Sequence, residues 1–196
     1  MKKAIIGGGG FGREVYYQLL DCNIASSSID IFDDNELLSF KKIKEIDFEN
    51  YEVVIAIGDP NIRKKIVDKL PLNTKYFTFI HKSAQILDKK IIIGEGTIIC
   101  PNVTLTTNIK LGNHCQLNIN TSVGHDTIIG DYFTATPGVN ISGNCTIGNN
   151  VYMGTNSSIR EKTKITDNVI IGLNSGVISH INESGVYVGL PCHKIK

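Results

Sequence analysis

Apolar residues recur at every sixth position over nearly half of the chain. All sixteen residues at that spacing are apolar: Leu87, Ile93, Ile99, Leu105, Leu111, Leu117, Val123, Ile129, Ala135, Ile141, Ile147, Met153, Ile159, Ile165, Ile171 and Val177. An average chain is about 45% apolar, so an unbroken series of this length does not arise by chance. The period fits neither a helical turn nor the alternation of a strand. It predicts a solenoid of short strands joined by tight corners, with the aliphatic side chains pointing into its axis.

Two further positions repeat with the same period. Glycine directly follows the aliphatic residue at Gly94, Gly112, Gly124, Gly130, Gly148, Gly154 and Gly172. A small or branched residue stands two positions before it at Val103, Thr121, Thr127, Val139, Cys145, Val151, Thr163 and Val169. The glycines indicate corners where the backbone needs freedom or close approach. The register contains no inserted residue between positions 87 and 177, so we expect no excursion loop there.

These repeats resemble the hexapeptide acyltransferases. In that family, three hexapeptides make one coil of a left-handed parallel β-helix. The resemblance implies about five coils between positions 87 and 177.

Residues 1–80 are predicted to form a separate small α/β domain. Four short apolar runs alternate with two helical stretches, in the order Lys3–Ile6, Arg13–Leu20, Ile29–Phe32, Val53–Ile57, Asn61–Leu70 and Tyr76–Ile80. Alternating strands and helices are typical of a parallel sheet. About eighty residues is roughly half of a dinucleotide-binding fold, so a mononucleotide is the expected ligand. The predicted fold is therefore a small Rossmann-like α/β domain followed by an all-β left-handed parallel β-helix at residues 81–196.

The first predicted strand runs into a glycine-rich loop. Gly7, Gly9 and Gly12 have the G-x-G-x-x-G spacing between a strand and a helix, the context in which this motif binds phosphate. Asp33 follows the second strand about twenty residues later, where a carboxylate can accept hydrogen bonds from ribose hydroxyls. The alternatives are a tight glycine turn and, for Asp33 and Asp34, a solvated strand end.

One segment of the solenoid carries residues that its corners do not need. His125 lies two positions after the inward-facing Val123, so it is predicted to face outward, and Asp126 follows it directly. An imidazole beside a carboxylate can act as a general base, because the carboxylate fixes the tautomer and stabilises the imidazolium. A hydrated surface histidine is the alternative.

Composition excludes several other classes of function. The chain has 20 Lys and Arg against 19 Asp and Glu, so neither nucleic acid nor a membrane is an expected partner. Its five cysteines form no CxxC pair, which favours reduced thiols, a cytoplasmic protein and no metal site. Cys115 and Cys145 fall on the inward-facing small position, so we expect core residues and no cysteine nucleophile, even where His114 precedes Cys115. His81 is expected to be structural.

The order of the two domains resembles the sugar O- and N-acetyltransferases of the hexapeptide family, which include the bacillosamine-pathway UDP-4-amino-sugar N-acetyltransferase and the sialic acid O-acetyltransferase. The resemblance implies that His125 is the base and that Asp126 raises its basicity. It implies nucleotide-sugar contacts at Gly9, Gly10, Phe11, Asp33, Asp34 and Gly58. It also implies acetyl-CoA contacts at Thr134, Gly143, Thr155 and Leu173, and a homotrimer with active sites between subunits.

The resemblance implies direct acetyl transfer from acetyl-CoA to the amino group of a UDP-4-amino-4,6-dideoxy sugar. Sialic acid O-acetylation and a non-catalytic nucleotide-binding scaffold are the alternatives. This chain departs from the family at Thr134, where a histidine is common, and at Phe11, where histidine or a small polar residue is common. Cys192 replaces the alanine of the usual C-terminal motif, which is a mild change.

Overall fold

The computed structural model describes all 196 residues. The N-terminal part contains three parallel strands and two helices: β1 (Lys2–Ile6), α1 (Gly10–Asp21), β2 (Ile29–Phe32), β3 (Tyr51–Ile55) and α2 (Pro60–Val67). Single 3₁₀ turns lie at Ser26–Ser28 and Ile43–Glu45. The strand order is β2-β1-β3, so the first strand is central and the ends of all three strands meet at one edge.

The remainder is a solenoid with three flat faces, each a parallel sheet. The domain face contains β4 (Phe79–Ile80), β7 (Ile98–Ile99), β10 (Gln116–Leu117), β13 (Thr134–Ala135), β16 (Tyr152–Met153) and β19 (Val169–Ile171). The second face contains β5 (Gln85–Ile86), β8 (Thr104–Leu105), β11 (Ser122–Val123), β14 (Asn140–Ile141), β17 (Ser158–Ile159) and β20 (Gly176–Val177). The third face contains β6 (Ile92–Ile93), β9 (Lys110–Leu111), β12 (Ile128–Ile129), β15 (Thr146–Ile147) and β18 (Lys164–Ile165). A hairpin of β21 (Gly185–Gly189) and β22 (Cys192–Lys194) follows.

This architecture confirms the predicted fold class, an α/β domain followed by a left-handed β-helix. The solenoid has about six coils rather than the expected five, because β4 and β5 begin the first coil before position 87. The inward-facing aliphatic column is buried from Ile99 to Val177, as the period predicts. Cys115 and Cys145 are buried as expected.

The expectation of an unbroken register is wrong at its first position. Leu87 is 63% exposed, whereas Ile86 pairs with Leu105 and so occupies the inward-facing position. Ile93 pairs with Leu111, so Ile93 lies seven positions after Ile86 rather than six. The inserted residue lies in the turn that contains Asp88. The sequence hides this insertion because Leu87 is apolar by coincidence.

The predicted strand Tyr76–Ile80 does not belong to the N-terminal sheet. Phe79–Ile80 pairs with Ile98–Ile99 in the solenoid, and Tyr76 makes a single bridge to Val53. The division into residues 1–80 and 81–196 stays a prediction.

The corners repeat one backbone conformation. Every sixth residue from 96 to 174 has a positive φ, between 51° and 74°. Glycine occupies two of these positions and asparagine eight, the residues that adopt this conformation most readily. The four exceptions are His114, Asp126, Tyr132 and Lys162. The glycines of the sequence pattern lie two residues earlier and serve close approach: a Cβ on Gly94 would lie 2.3 Å from the carbonyl oxygen of Gly112.

A buried arginine joins the two parts of the chain. Arg63 of α2 is fully buried, and its guanidinium donates to the carbonyl oxygens of Ile57 (2.6 Å), His114 (2.9 Å) and Tyr132 (2.8 Å), and to Oγ1 of Thr134 (2.9 Å). Burial lowers the pKa of Arg63 to about 10, so the group is charged at neutral pH. The N-terminal domain is therefore fixed against the domain face of the solenoid.

Candidate functional site

His125 lies at the corner between the second and third faces, which we call the far corner. Its Nδ1 lies 2.7 Å from Oδ2 of Asp126. The His125 side chain is 56% exposed and that of Asp126 is 45% exposed. Because Nδ1 faces a carboxylate, the neutral ring carries its proton on Nδ1 and leaves Nε2 free to accept one. The pKa of Asp126 is lowered by hydrogen bonds, first from Asn108 and then from His125.

Gly143 lies beside the free nitrogen of His125, one coil further along. A Cβ on Gly143 would lie only 2.6 Å from Nε2, so any side chain would displace the imidazole. The N–H of Gly143 donates no hydrogen bond within the chain. At the corner between the third face and the domain face, by contrast, the N–H of Asn113 donates to Asp131 (2.7 Å) and that of Asp131 to Asn149 (2.8 Å). The far corner therefore combines a proton acceptor with an unpaired backbone donor.

The glycine-rich loop has the geometry that its motif predicts. Gly7 has a φ of +113°, and a Cβ on Gly12 would lie 1.7 Å from the carbonyl oxygen of Gly7, so only glycine lets α1 approach β1. The N–H groups of Gly9, Gly10 and Phe11 donate no hydrogen bond in the chain. These unpaired donors at the N-terminus of α1 are suited to a phosphate.

The two aspartates after β2 have protein partners. Asp33 accepts from the N–H of Gly8 (2.6 Å) and from that of Asn35 (2.8 Å), so its carboxylate orients the glycine-rich loop. Asp34 accepts from the N–H of Ile43 (2.9 Å). The predicted ribose contact of Asp33 and the sugar contact of Asp34 stay predictions.

Two clefts border the predicted nucleotide contacts. Gly10 and Phe11 line a cleft of about 780 Å³ together with Asn118, Ile119 and Pro137 of the solenoid. Gly58 lines a separate cleft of about 400 Å³ with Asp59, Pro60 and Asn61 at the start of α2 and with Tyr152 on the domain face, among others. The carboxyl edge of the N-terminal sheet thus opens toward the solenoid on both sides.

The four predicted acetyl-CoA residues are spread over the solenoid. Gly143 lies at the far corner beside His125, whereas Thr155 and Leu173 are exposed at the corner between the domain face and the second face. Thr134 is buried under the N-terminal domain: Oγ1 donates to the carbonyl oxygen of Gly58 (2.8 Å) and accepts from Arg63. The role of each in binding acetyl-CoA stays a prediction.

Comparison with known proteins finds similar sugar-modifying enzymes for the N-terminal domain and for the whole fold. Residues 2–70 match the PglD N-terminal domain model. Over 142 residues the chain is 28% identical to the GDP-perosamine N-acetyltransferase of Escherichia coli O157:H7. The aligned region is 65% of this chain and 64% of the relative, so the chain spans less than two thirds of the length of that relative. WeeI from Acinetobacter baumannii AYE is 28% identical, with a TM-score of 0.87 and full coverage of both chains. These matches support a sugar acetyltransferase of the hexapeptide-repeat family.

A third relative adds evidence on the fold. The structure of PerB from Caulobacter crescentus, in complex with CoA and GDP-perosamine, superimposes with a TM-score of 0.89 at 21% identity, covering 100% of this chain and 98% of that one. Neither helix of the chain has the length and hydrophobicity of a membrane span. No group of three or more His, Cys, Asp and Glu side chains is placed to hold a metal ion.

The candidate base and the N-terminal domain lie on opposite sides of the solenoid. The N-terminal domain packs on the domain face, where Gln116 Nε2 donates to the carbonyl oxygen of Ile55 (2.7 Å). The far corner is the vertex opposite that face. One face of the solenoid is five or six extended residues wide, which is roughly 15–20 Å. His125 is therefore too far away to contact a nucleotide that is held by the glycine-rich loop of the same chain.

Sequence reasoning missed two residues: Asn108, and Arg63, which it placed only within the predicted helical stretch Asn61–Leu70. Arg63 gives no sequence signal, because it precedes two lysines as a surface residue would. Asn108 belongs to the asparagines at every sixth position, and that period identifies the corners. Reading it would also have identified His114 and Asp126 as exceptions. His114 is buried and stacks on Tyr132, with ring centroids 5.3 Å apart. It does not activate Cys115 as a nucleophile, because burial raises the pKa of the Cys115 thiol to about 12.

Proposed function

We propose that the protein is an acetyl-CoA-dependent N-acetyltransferase that acts on the amino group of a nucleotide-linked amino sugar. The observation that carries the proposal is the far corner, where the free Nε2 of His125 lies close to Gly143, whose N–H is unpaired. The N-terminal domain supports it with a loop suited to a nucleotide phosphate. The name of the Escherichia coli relative supports the same chemistry.

The proposed reaction is direct transfer. Nε2 of His125 accepts a proton from the sugar amine as the amine nitrogen attacks the thioester carbonyl carbon. The N–H of Gly143 stabilises the oxyanion, an effect worth about 3 kcal/mol in other enzymes. The new C–N bond forms, the C–S bond breaks, and the thiolate of CoA takes the proton from the imidazolium. Asp126 holds the ring in the required tautomer throughout.

The nucleotide sugar is proposed to bind across the N–H groups of Gly9, Gly10 and Phe11, with Gly58 beside it. The family resemblance implies a uridine nucleotide, a UDP-4-amino-4,6-dideoxy sugar, whereas the name of the relative gives a guanosine nucleotide sugar. Thermal shift with UDP, dTDP, GDP and CMP, each with and without acetyl-CoA, separates these, since a ligand that binds only the folded state raises its melting temperature. A response to CMP alone would favour sialic acid O-acetylation.

The proposed active site needs a second copy of the chain. His125 lies at the far corner, whereas the cleft beside Gly10 and Phe11 meets the solenoid at the corner between the domain face and the second face. We therefore propose a homotrimer in which the far corner of each copy meets the N-terminal domain of its neighbour. Mixing two inactive variants tests this, because His125→Ala and Gly12→Ala subunits would regain activity only if one site draws on two chains.

The decisive experiment is the His125→Ala variant, with His193→Ala as its matched control. His193 is an exposed histidine of the C-terminal hairpin. We expect His125→Ala to lower kcat by about 10²- to 10⁴-fold, the range for loss of a general base. Size-exclusion chromatography should show the same assembly for both variants. A wild-type rate in His125→Ala would remove this residue as the base.

A further inference from the structure

A line of hydrogen bonds runs along the far corner and ends at His125. The two oxygens of the Asp126 carboxylate have different partners: Oδ2 faces Nδ1 of His125 at 2.7 Å, and Oδ1 accepts from Nδ2 of Asn108 at 2.6 Å. With both oxygens engaged, the plane of the carboxylate is fixed. Asp126 also has a φ of 58°, a conformation that most residues avoid.

Asn108 is itself held from the coil before it. Its N–H donates to Oδ2 of Asp88 at 3.2 Å, and the neighbouring Thr107 donates its hydroxyl to the same oxygen at 2.8 Å. Oδ1 of Asp88 accepts from the N–H of Lys90 at 2.9 Å. Asp88 lies in the turn that contains the inserted residue. The departure from the six-residue register is therefore the place where this hydrogen-bond line is anchored.

At other corners, an asparagine side chain donates to an asparagine of the next coil rather than to a carboxylate. Asn102 donates its side-chain amide to Asn120 at 3.3 Å, and Asn150 donates to Asn168 at 3.2 Å. These amide pairs join successive coils and end there. Only the Asn108 pair is short and has an ionised acceptor, which strengthens a hydrogen bond. The Asp126 carboxylate also contacts His125, and the pairing of successive coils does not require that contact.

We propose that Asn108 is a positioning residue for the acetyl-transfer reaction, anchored by Asp88 and acting through Asp126 on the tautomer and orientation of His125. This rests on the proposed function, in which Nε2 of His125 accepts the proton. Without the amide of Asn108, the carboxylate is free to rotate about its own side chain. The imidazole then samples the tautomer that carries its proton on Nε2, which cannot accept one.

The test uses Asn108→Gly with Asn102→Gly as its matched control. Both asparagines have a positive φ, 51° and 59°, which glycine adopts without strain, and both donate to the next coil. Two measurements are made on each intact protein: steady-state kinetics for both substrates, and ¹⁵N chemical shifts of the His125 ring in histidine-labelled protein. The His125→Asn spectrum assigns the signal among the five histidines.

For Asn108→Gly we expect kcat to fall about tenfold or more, with both KM values within twofold of the wild type. The ¹⁵N shifts should move toward a mixture of tautomers, while Asn102→Gly resembles the wild type in both measurements. Equal losses in the two variants would assign Asn108 to corner packing and overturn the proposal, as would unchanged shifts in Asn108→Gly. If the wild type transfers no acetyl group but the shifts move only in Asn108→Gly, the positioning role stands and the proposed function fails.

Discussion

Replacing Arg63 with methionine should destabilise the whole protein, because its buried guanidinium donates hydrogen bonds to both domains. Three carbonyl oxygens, those of Ile57, His114 and Tyr132, accept a hydrogen bond from Arg63 and from no other group. A buried polar group left without a partner costs about 1–3 kcal/mol, so the three together cost about 3–9 kcal/mol. Removing a desolvated cation offsets part of this. We expect a net loss of about 3 kcal/mol in the free energy of unfolding.

The expected loss is large enough to measure by thermal denaturation. For a chain of this size, 1 kcal/mol shifts Tm by about 2–4 °C, so Arg63→Met should lower Tm by about 6–12 °C. Arg160→Met is the matched control, because Arg160 is exposed and its guanidinium makes no hydrogen bond in the chain. Arg63→Lys should also be destabilised, since an ammonium lacks the planar fork that reaches both domains. A Tm of Arg63→Met within 2 °C of the control would refute this account.

Three other changes have outcomes fixed by the structure. Gly143→Ala should lower kcat at least tenfold without changing Tm, because its Cβ would lie 2.6 Å from Nε2 of His125; Ser142→Ala is the kinetic control. Gly12→Ala should abolish nucleotide-induced thermal shifts, since its Cβ would lie 1.7 Å from a backbone oxygen, whereas Gly10→Ala meets nothing within 4 Å and should fold normally. Burial, together with the charge of Arg63, lowers the pKa of His114 to about 4. At pH 5 the unfolded chain therefore binds a proton at this residue that the folded chain does not. The free energy of unfolding should fall as the pH is lowered from about 6.5 toward 4. Urea denaturation should show about 2 kcal/mol of this loss between pH 7.5 and 5.0, and His114→Asn, which suits the positive φ there, should remove it.

The solenoid could be predicted because its core is set by a strictly local repeat. Each coil buries one aliphatic residue per face, so the period appears in the sequence without knowledge of any distant contact. The insertion at the first coil could not be found in this way, because the side chain of Leu87 has the right chemistry in the wrong place. Only the pairing of Ile86 with Leu105 reveals it.

The candidate site was predictable where its residues are exceptions to the repeat. Asp126 stands at a corner position that is asparagine in eight other places, His125 directly precedes it, and the structure places the two side chains in contact. Thr134 was predicted from resemblance, and its burial against Gly58 depends on how the two domains pack. Domain packing follows from contacts between residues more than seventy positions apart, which no local pattern records.

The C-terminal hairpin has a consequence for assembly. Every coil pairs in parallel with the next, and an uncovered last coil would offer a strand edge on which another molecule could continue the stack. β21 extends the domain face in parallel, but β22 runs antiparallel to it and carries Lys194 paired with Glu183. Leu190 packs over Gly176 and covers the end of the second face. The hairpin thus terminates the stack, and without it we expect the same solenoid to grow end to end into filaments.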